Sequence, residues 1–473
     1  MNIDEIEKII NDIDNYSDEE ILEIYKKIYN TLYDNCCFME AEEFIVILIK
    51  KIKDFNIKLE LIKEYFPNLV SNSLELLLRS IDSLSLYDKK KIFKDLYAEY
   101  KFVEVDKLLN IPTNLKLGVE LEYTDLSINV IQSLFENGTL TVLMQALEIN
   151  EEICDEIINK TVFFASKEYD KWVFTTEKQF EYWPELSSAI FKNNINNLNV
   201  LKAFYYIMLV LKAKVNEETA LQINVGVDYF DNNVDGLKYL LSIWSECEEI
   251  FYKISNKENT IIRDYASKMA KPIKANIQKT FDENYSFKLD TPEDFYKFIY
   301  NIQVRDYLKD LFHNPFLEEY NKIEDLSEDE KYEMFLNLPN KEEKMYETRF
   351  TSINFTYMNW YEENKGRIEF RLFNNIMDFE TILSNITLVG RLMYVSKELA
   401  NGNIELLKKY YMLLKKDILE EEKLDLLLNL LFNDNEKEIF KRRWDSVKNN
   451  NVYNKYYTGD KTFEPINNEI KSK

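Results

Sequence analysis

Two glutamates, Glu120 and Glu122, lie two residues apart in KLGVELEYTD, a stretch that alternates polar and apolar side chains. Because successive side chains of a β-strand point to opposite faces, both carboxylates share one face, roughly 6.6 Å apart. At an effective dielectric constant near 20 their repulsion is about 2.5 kcal/mol, against a typical total stability of about 5–15 kcal/mol. A positive group should therefore face them, and Mg²⁺, which binds carboxylates, waters and phosphates, is the natural candidate.

Two further stretches alternate in the same way and carry polar side chains on one face. They are LQINVGVD (221–228), with Gln222, Asn224, Gly226 and Asp228 on that face, and GRIEFRLF (366–373), with Arg367, Glu369 and Arg371. The solvated face of an antiparallel sheet is the ordinary interpretation of such a pattern. LGVELEY, LQINVGVD and GRIEFRLF contain no lysine, however, and their carboxylates, amides and arginines favour a binding cleft. The planar fork of Arg371 is suited to bidentate phosphate recognition.

Together with two other segments, these strands resemble the motifs of the amidoligase family, a branch of the carboxylate–amine ligases related to glutamine synthetase and glutamate–cysteine ligase. In chain order the matching segments are LGVELEY, KWVFTTEKQFEYWPELSSAIF (171–191), ALQINVGVD, RFTSIN (349–354) and GRIEFRLFNN. The resemblance covers residues 114–395 or so. It implies a curved antiparallel β-sheet whose concave face holds ATP and Mg²⁺. It also implies that a substrate carboxylate attacks the γ-phosphate and that an amine then attacks the resulting acyl phosphate.

By position in these motifs, the resemblance implies roles for nine side chains. The implied metal ligands are Glu120, Glu122, Glu177, Glu185 and Glu369; the implied ATP contacts are Gln222, Asn224, Arg349 and Arg371; the implied catalytic residues are Glu122, Glu185 and Arg371. The chain departs from the family at Gln222 and Asn224, where family members tend to have two histidines. Amides form hydrogen bonds, but they neither act as general bases nor titrate near pH 7.

Three functions remain open at this level. The leading one is an ATP- and Mg²⁺-dependent ligase that joins a small-molecule or peptide carboxylate to an amine. The alternative is a catalytically impaired scaffold that binds a nucleotide or a partner. A third is a metal-dependent phosphotransferase or hydrolase that uses the same carboxylates.

The composition limits the partners and the compartment. The 473-residue chain has 60 Lys and Arg against 84 Asp and Glu, a net charge of −24, which argues against nucleic acid as a partner. Its longest apolar runs, FIVILI and FYYIMLVL, are too short to cross a bilayer, so no membrane partner is expected. The four cysteines show no metal-binding spacing, which favours a reducing, cytoplasmic location.

The pattern along the chain predicts an α+β fold in three parts. These are a helical N-terminal module (1–110), an amidoligase-like domain (111–400) with a helical insertion at about 236–345, and a helical C-terminal segment with a polar tail (401–473). Strands are expected at 115–124, 171–177, 220–229, 349–358 and 367–373, with a hairpin turn at 362–366 and helices on the outer face of the sheet. The N-terminal module lies outside the family resemblance and is a candidate for docking a protein partner.

Helix boundaries are marked by local signals. Ser17 and Glu20 form a capping-box pattern, Thr291 begins a helix, and Asn401-Gly402 ends one. The only histidine, His313, lies in the predicted insertion, where packing or capping is its more frequent role. Lys271 is a candidate phosphate contact, although a solvated helix end is its ordinary interpretation.

Overall fold

The structure, a computed structural model, confirms the α+β class. It describes residues 8–9, 12–34, 38–66, 73–164, 170–176, 184–216, 219–260, 270–274, 289–292, 294–295, 298–299, 351–358, 366–415 and 418–449. Within these ranges it contains 14 α-helices and one eight-stranded sheet. No helix in the same ranges has the length and apolar character needed to cross a membrane.

Five helices precede the sheet: α1 (Asp18–Asp34), α2 (Phe38–Lys51), α3 (Phe55–Tyr65), α4 (Ser73–Ile81) and α5 (Leu86–Leu96). The predicted capping box at the start of α1 is confirmed. The backbone N–H of Ser17 donates to Glu20 at 2.7 Å, and the backbone N–H of Glu20 donates to the Ser17 hydroxyl at 3.3 Å. The apolar residues Ile21, Tyr25, Ile28 and Leu32 recur on one face of α1, and that face is buried.

Three helices that the alternating pattern did not predict follow the first strand. They are α6 (Ile128–Glu136), α7 (Thr139–Ala146) and α8 (Glu151–Lys160). Side chains of Ser127 and Asn150 cap α6 and α8 by accepting from backbone N–H groups. α5 packs along α7, and Lys90 donates to Gln145 at 3.1 Å. The predicted N-terminal module therefore contacts the domain that follows it.

The strands are β1 (Lys116–Glu122), β2 (Thr161–Phe163), β3 (Trp172–Thr176), β4 (Pro184–Ser187), β5 (Phe191–Lys192), β6 (Ala220–Gly226), β7 (Ile353–Asn354) and β8 (Arg367–Asn374). Their order is β2-β3-β4-β1-β6-β8-β7, and β5 pairs with β1. The sheet is mixed rather than purely antiparallel, because β2 pairs with β3 in parallel. This correction concerns only the edge, where the three residues of β2 are too few to show a period. All other paired strands in the described ranges are antiparallel.

The later helices are α9 (Ile195–Val210), α10 (Val234–Ile254), α11 (Phe379–Ala400), α12 (Ile404–Leu413), α13 (Glu420–Leu431) and α14 (Asp434–Val447). Helices cover the apolar face of the sheet. Phe204 of α9 stacks on Trp172 of β3 at 4.2 Å between ring centroids, and Trp244 of α10 meets Phe370 of β8 edge to face at 5.2 Å. α10 lies in the predicted insertion but forms part of this core.

Strand ends differ from the sequence predictions where turns interrupt the alternation. β6 ends at Gly226 because residues 227–230 form a 3₁₀ turn, and Asp228 pairs there with Lys116 at 2.6 Å. The strand predicted at 349–358 is reduced to the two residues of β7 within its described part. The predicted turn at 362–366 lies outside the described residues except for Gly366.

Two predicted helix signals are confirmed. The hydroxyl of Thr291 accepts from the backbone N–H of Asp294 at 3.1 Å, as expected at a helix start. α11 ends at Ala400, followed by Gly402 in a left-handed conformation with φ 79°.

Candidate functional site

The strand register brings seven of the nine predicted site residues onto the polar face of the sheet. They are Glu120, Glu122, Glu185, Gln222, Asn224, Glu369 and Arg371. Glu122 lies opposite Glu185 between β1 and β4, and Asn224 lies opposite Glu369 between β6 and β8. Side chains opposite each other in an antiparallel pair share a face, so residues from four strands converge here.

Each amide of β6 donates to a glutamate of β1. Asn224 Nδ2 lies 3.0 Å from Glu120 Oε1, and Gln222 Nε2 lies 3.2 Å from Glu122 Oε1. The other Glu122 oxygen accepts from the backbone N–H of Ala220 at 2.7 Å. Hydrogen bonds to an ionised group contribute about 1.5–3 kcal/mol each, comparable to the repulsion between the two glutamates. Amide donors therefore supply the compensation for which the sequence predicted Mg²⁺.

The guanidinium of Arg371 links β6 and β8. It donates to Gln222 Oε1 at 2.8 Å and lies 3.1 Å from Glu369 Oε2. Asn354 of β7, which sequence reasoning did not select, donates to the same Glu369 oxygen at 2.7 Å. The arginine, the glutamate and the two amides thus form one network across three strands.

A register shift in β8 sets the position of Arg371. Ile223 pairs with Phe370 and Leu221 pairs with Phe373, so β8 has two residues where β6 has only Gln222. Such an insertion re-aims side chains next to many binding sites. Simple alternation predicted the face of Arg371 correctly but not this shift.

The site is sheltered from solvent. The seven side chains range from 1% exposed for Glu369 and Arg371 to 8% for Asn224. Ser187 of β4, also on this face, donates to Glu185 Oε1 at 2.5 Å. Charged groups so deeply buried need partners, and the described residues provide polar partners for each glutamate.

A further buried carboxylate, Glu248 of α10, supports the site from behind, and sequence reasoning missed it. It accepts from the backbone N–H groups of Ile273 and Lys274 at 3.0 and 2.9 Å and from the hydroxyl of Ser352. The Ser352 carbonyl in turn accepts from the backbone N–H of Arg371 at 2.9 Å. Burial raises the pKa of Glu248 despite these hydrogen bonds. Its position on the apolar stripe of α10, four residues after Trp244, was the available signal.

The remaining predicted residues are not part of this face as described. Glu177, Arg349 and His313 lie outside the described residues. Lys271 is exposed. It supports the site through its backbone, because its carbonyl accepts a hydrogen bond from the N–H of Ser352 at 2.8 Å. Burial raises the pKa of the Cys247 thiol to about 12, which disfavours a reactive thiolate.

The polar face has the residue types of a metal–nucleotide site. Within the described residues, however, its carboxylates are not grouped closely enough to form a metal site from protein side chains alone. The described residues contain no group of three or more His, Cys, Asp or Glu side chains close enough to hold a metal ion. Mg²⁺ that arrives with a nucleotide commonly uses only one or two carboxylates, since phosphates and waters complete its shell. Carboxylates of this face, such as the facing pair Glu122 and Glu185, therefore fit a Mg²⁺–nucleotide complex in chemistry.

Comparison with known proteins adds no family assignment: no family model, curated protein or solved structure matches the chain. The fold and site define an α+β protein with a buried, acidic and amide-rich sheet face. The resemblance to amidoligases rests on the five sequence segments themselves.

Proposed function

We propose that the chain is an ATP-dependent carboxylate–amine ligase that receives ATP as its Mg²⁺ complex and forms an amide through an acyl phosphate. The observation that carries the proposal is the convergence of four glutamates and Arg371 on one buried sheet face. The order of the five motif-like segments in the sequence supports it as well. The proposal includes a curved sheet with this face on its concave side.

Within this proposal Arg371 neutralises negative charge on the transferred phosphoryl group. Phosphoryl transfer depends mainly on positioning and charge neutralisation, both of which a fixed guanidinium provides. Gln222 and Glu369 hold this guanidinium in place before any ligand arrives. Fixed groups in a sheltered site are more effective than groups that must reorganise during the reaction.

Glu122 and Glu185 face each other between β1 and β4 and form the acidic wall of the proposed site. When bound, Mg²⁺ would neutralise phosphate charge, and these glutamates with Glu369 are the residues that would hold it. Glu122 is fixed by two donors from β6, and Glu185 by Ser187. The carboxylates are therefore oriented by the protein itself.

The test is ATP cleavage that depends on both substrates. Purified full-length protein is incubated with Mg-ATP, a panel of carboxylic acids and hydroxylamine as a general amine, and ADP, phosphate and hydroxamate are measured. Glu122→Gln should abolish turnover, whereas Glu421→Gln, at an exposed glutamate of α13, should not. Unchanged turnover in Glu122→Gln would refute the proposed role of this face.

A catalytically impaired scaffold is the second candidate, and the amides of β6 favour it. Gln222 and Asn224 stand where the resembled family tends to have histidines, and both donate to glutamates of β1. Mg-ATP binding without turnover on the whole substrate panel would support this candidate, with residues 1–110 as a docking module. ATP cleavage that is indifferent to the amine would instead support a hydrolase or phosphotransferase.

A further inference from the structure

The side-chain oxygen of Asn224 is a buried acceptor that accepts no hydrogen bond within the part of the chain that the structure describes. Its amide nitrogen donates to Glu120 Oε1 at 3.0 Å, which fixes the orientation of the amide. Rotating the amide by half a turn would place oxygen against carboxylate oxygen. Because a buried acceptor without a donor is costly, this oxygen indicates a ligand that brings a hydrogen-bond donor.

The charge of the surroundings selects the kind of donor. The described residues of this face include four glutamates and two arginines. The Arg371 guanidinium is engaged by Gln222 and Glu369, the Arg367 guanidinium lies 4.2 Å from the centre of the Tyr357 ring, and Lys116 at the edge of the face pairs with Asp228, so the carboxylates outnumber the cations. Glu120 lies directly behind the Asn224 amide. A positively charged N–H donor is therefore favoured over a neutral hydroxyl and over an anion.

The strand opposite leaves space beside this amide. Asn224 pairs with Gly118 of β1, and a Cβ at Gly118 would lie 3.5 Å from the Asn224 Cβ and 3.8 Å from the Ser188 hydroxyl. A side chain at position 118 would thus lie in van der Waals contact with Asn224. Glycine in a strand interior is typical of a place where a ligand approaches closely.

We propose that Asn224, Glu120 and Gly118 form the subsite that receives the amine substrate as a primary ammonium group. The Asn224 oxygen accepts an ammonium N–H, Glu120 supplies the opposite charge, and Gly118 leaves the space. This inference deepens the proposed ligase function and rests on it for the identification of the ligand as a substrate. Binding of an ammonium ion at the subsite is measurable without turnover.

The test is a calorimetric titration of the full chain with methylammonium and, in parallel, with tetramethylammonium, which has the same charge but no N–H. Methylammonium should bind more tightly than tetramethylammonium. Asn224→Leu should weaken methylammonium binding about tenfold or more, the usual effect of losing a hydrogen bond to a charged group. Asn429→Leu, at an exposed asparagine of α13, is the matched control.

Three results would overturn the subsite: equal binding to Asn224→Leu and wild type, equal binding of the two ammonium ions, or competitive displacement of methylammonium by micromolar Mg²⁺. Gly118→Val provides an independent variant if Asn224→Leu does not fold, because it fills the space and keeps the amide. That variant should also weaken methylammonium binding, and unchanged binding would overturn the subsite.

Failure of the subsite is distinguishable from failure of the ligase. If amide formation occurs and Asn224→Leu leaves the KM for the amine unchanged, the subsite is wrong and the ligase stands. If no substrate pair is turned over but methylammonium binding depends on Asn224, the ligase is wrong and the ammonium site stands.

Discussion

Replacement of Glu248 tests how the site is held in place. This carboxylate connects α10 to the segment at residues 270–274 and to Ser352, whose carbonyl holds the backbone of Arg371. Glu248→Leu keeps a similar volume but removes every acceptor. Glu248→Gln keeps one oxygen, which can accept from the two backbone N–H groups, and gains an NH₂ that can donate to the Ser352 hydroxyl.

The expected magnitudes follow from these contacts. In Glu248→Leu the backbone N–H groups of Ile273 and Lys274 lose their acceptor, and an unsatisfied buried donor costs about 1–3 kcal/mol. Because the N–H of Ile273 is buried and that of Lys274 only partly buried, the free energy of unfolding should fall by about 1–4 kcal/mol. Glu248→Gln loses mainly the acceptor for the Ser352 hydroxyl and should cost about 1 kcal/mol.

The raised pKa of Glu248 also predicts how the stability of the wild type changes with pH. Burial raises the pKa of Glu248 above its ordinary value of 4.5 in the folded chain. Between that value and the raised one, the unfolded chain binds fewer protons than the folded chain, so wild type loses stability as pH rises. Glu248→Leu and Glu248→Gln have no carboxyl group at this position, so the stability of neither variant has this pH dependence. The stability gap between wild type and Glu248→Leu should therefore narrow as pH increases above 4.5.

Urea unfolding followed by circular dichroism and tryptophan fluorescence measures both effects. Trp244 reports locally, because its indole N–H donates to the Ser352 hydroxyl at 2.9 Å. The reasoning is refuted if Glu248→Leu lies within about 0.5 kcal/mol of wild type, as a surface substitution would. A gap that widens with rising pH would refute the sign of the pKa shift.

Three further predictions concern helix packing and the hydrogen bonds of the polar face. Gly390→Ala should destabilise the fold by about 1–3 kcal/mol in thermal unfolding, although alanine has the better helix propensity, because its Cβ would lie 2.6 Å from an Ile111 methyl. A stabilised variant would contradict this packing. Arg371→Lys should weaken Mg-ATP binding about tenfold in calorimetry, since an ammonium lacks the fork that reaches Gln222 and Glu369; unchanged affinity would exclude Arg371 from the nucleotide site. The double variant Glu122→Gln, Gln222→Glu should lose at least about 0.5 kcal/mol less free energy of unfolding than the sum of its two single variants, measured by urea unfolding. The reason is that the donor and the acceptor of the hydrogen bond exchange strands, and strict additivity would contradict the pairing.

Periodicity predicted the faces of the central strands well and their ends poorly. β1, β6 and β8 lie within or close to the stretches chosen from alternation, because one face of each is packed against helices. β4 and β5 have four and two residues, too few for any period, and they exist because β1 offers them hydrogen-bonding partners. The three short helices α6 to α8 were missed, although caps at Ser127 and Asn150 were present in the sequence.

Pairing within the site could not be predicted from the sequence, since alternation assigns a face but not a partner. Gln222 lies directly opposite Glu120 yet donates to Glu122, and Asn224 lies opposite Gly118 yet donates to Glu120. Each amide thus bonds diagonally to a glutamate of the neighbouring strand, within the reach of long side chains. The strand order and the register, both set by contacts distant in the chain, decide these bonds.

These diagonal bonds change what the glutamate pair implies about metals. Repulsion between Glu120 and Glu122, about 2.5 kcal/mol at an effective dielectric constant of 20, was the sequence argument for Mg²⁺. Three N–H donors from β6 already contact the pair, and each such bond contributes about 1.5–3 kcal/mol. Because amides do not titrate, these donors remain at every pH at which the glutamates are ionised, whereas histidines at the same positions would change charge near neutrality. The pair is therefore no evidence for a resident metal, and the case for a nucleotide site depends on the convergence of Glu185, Glu369 and Arg371 with it.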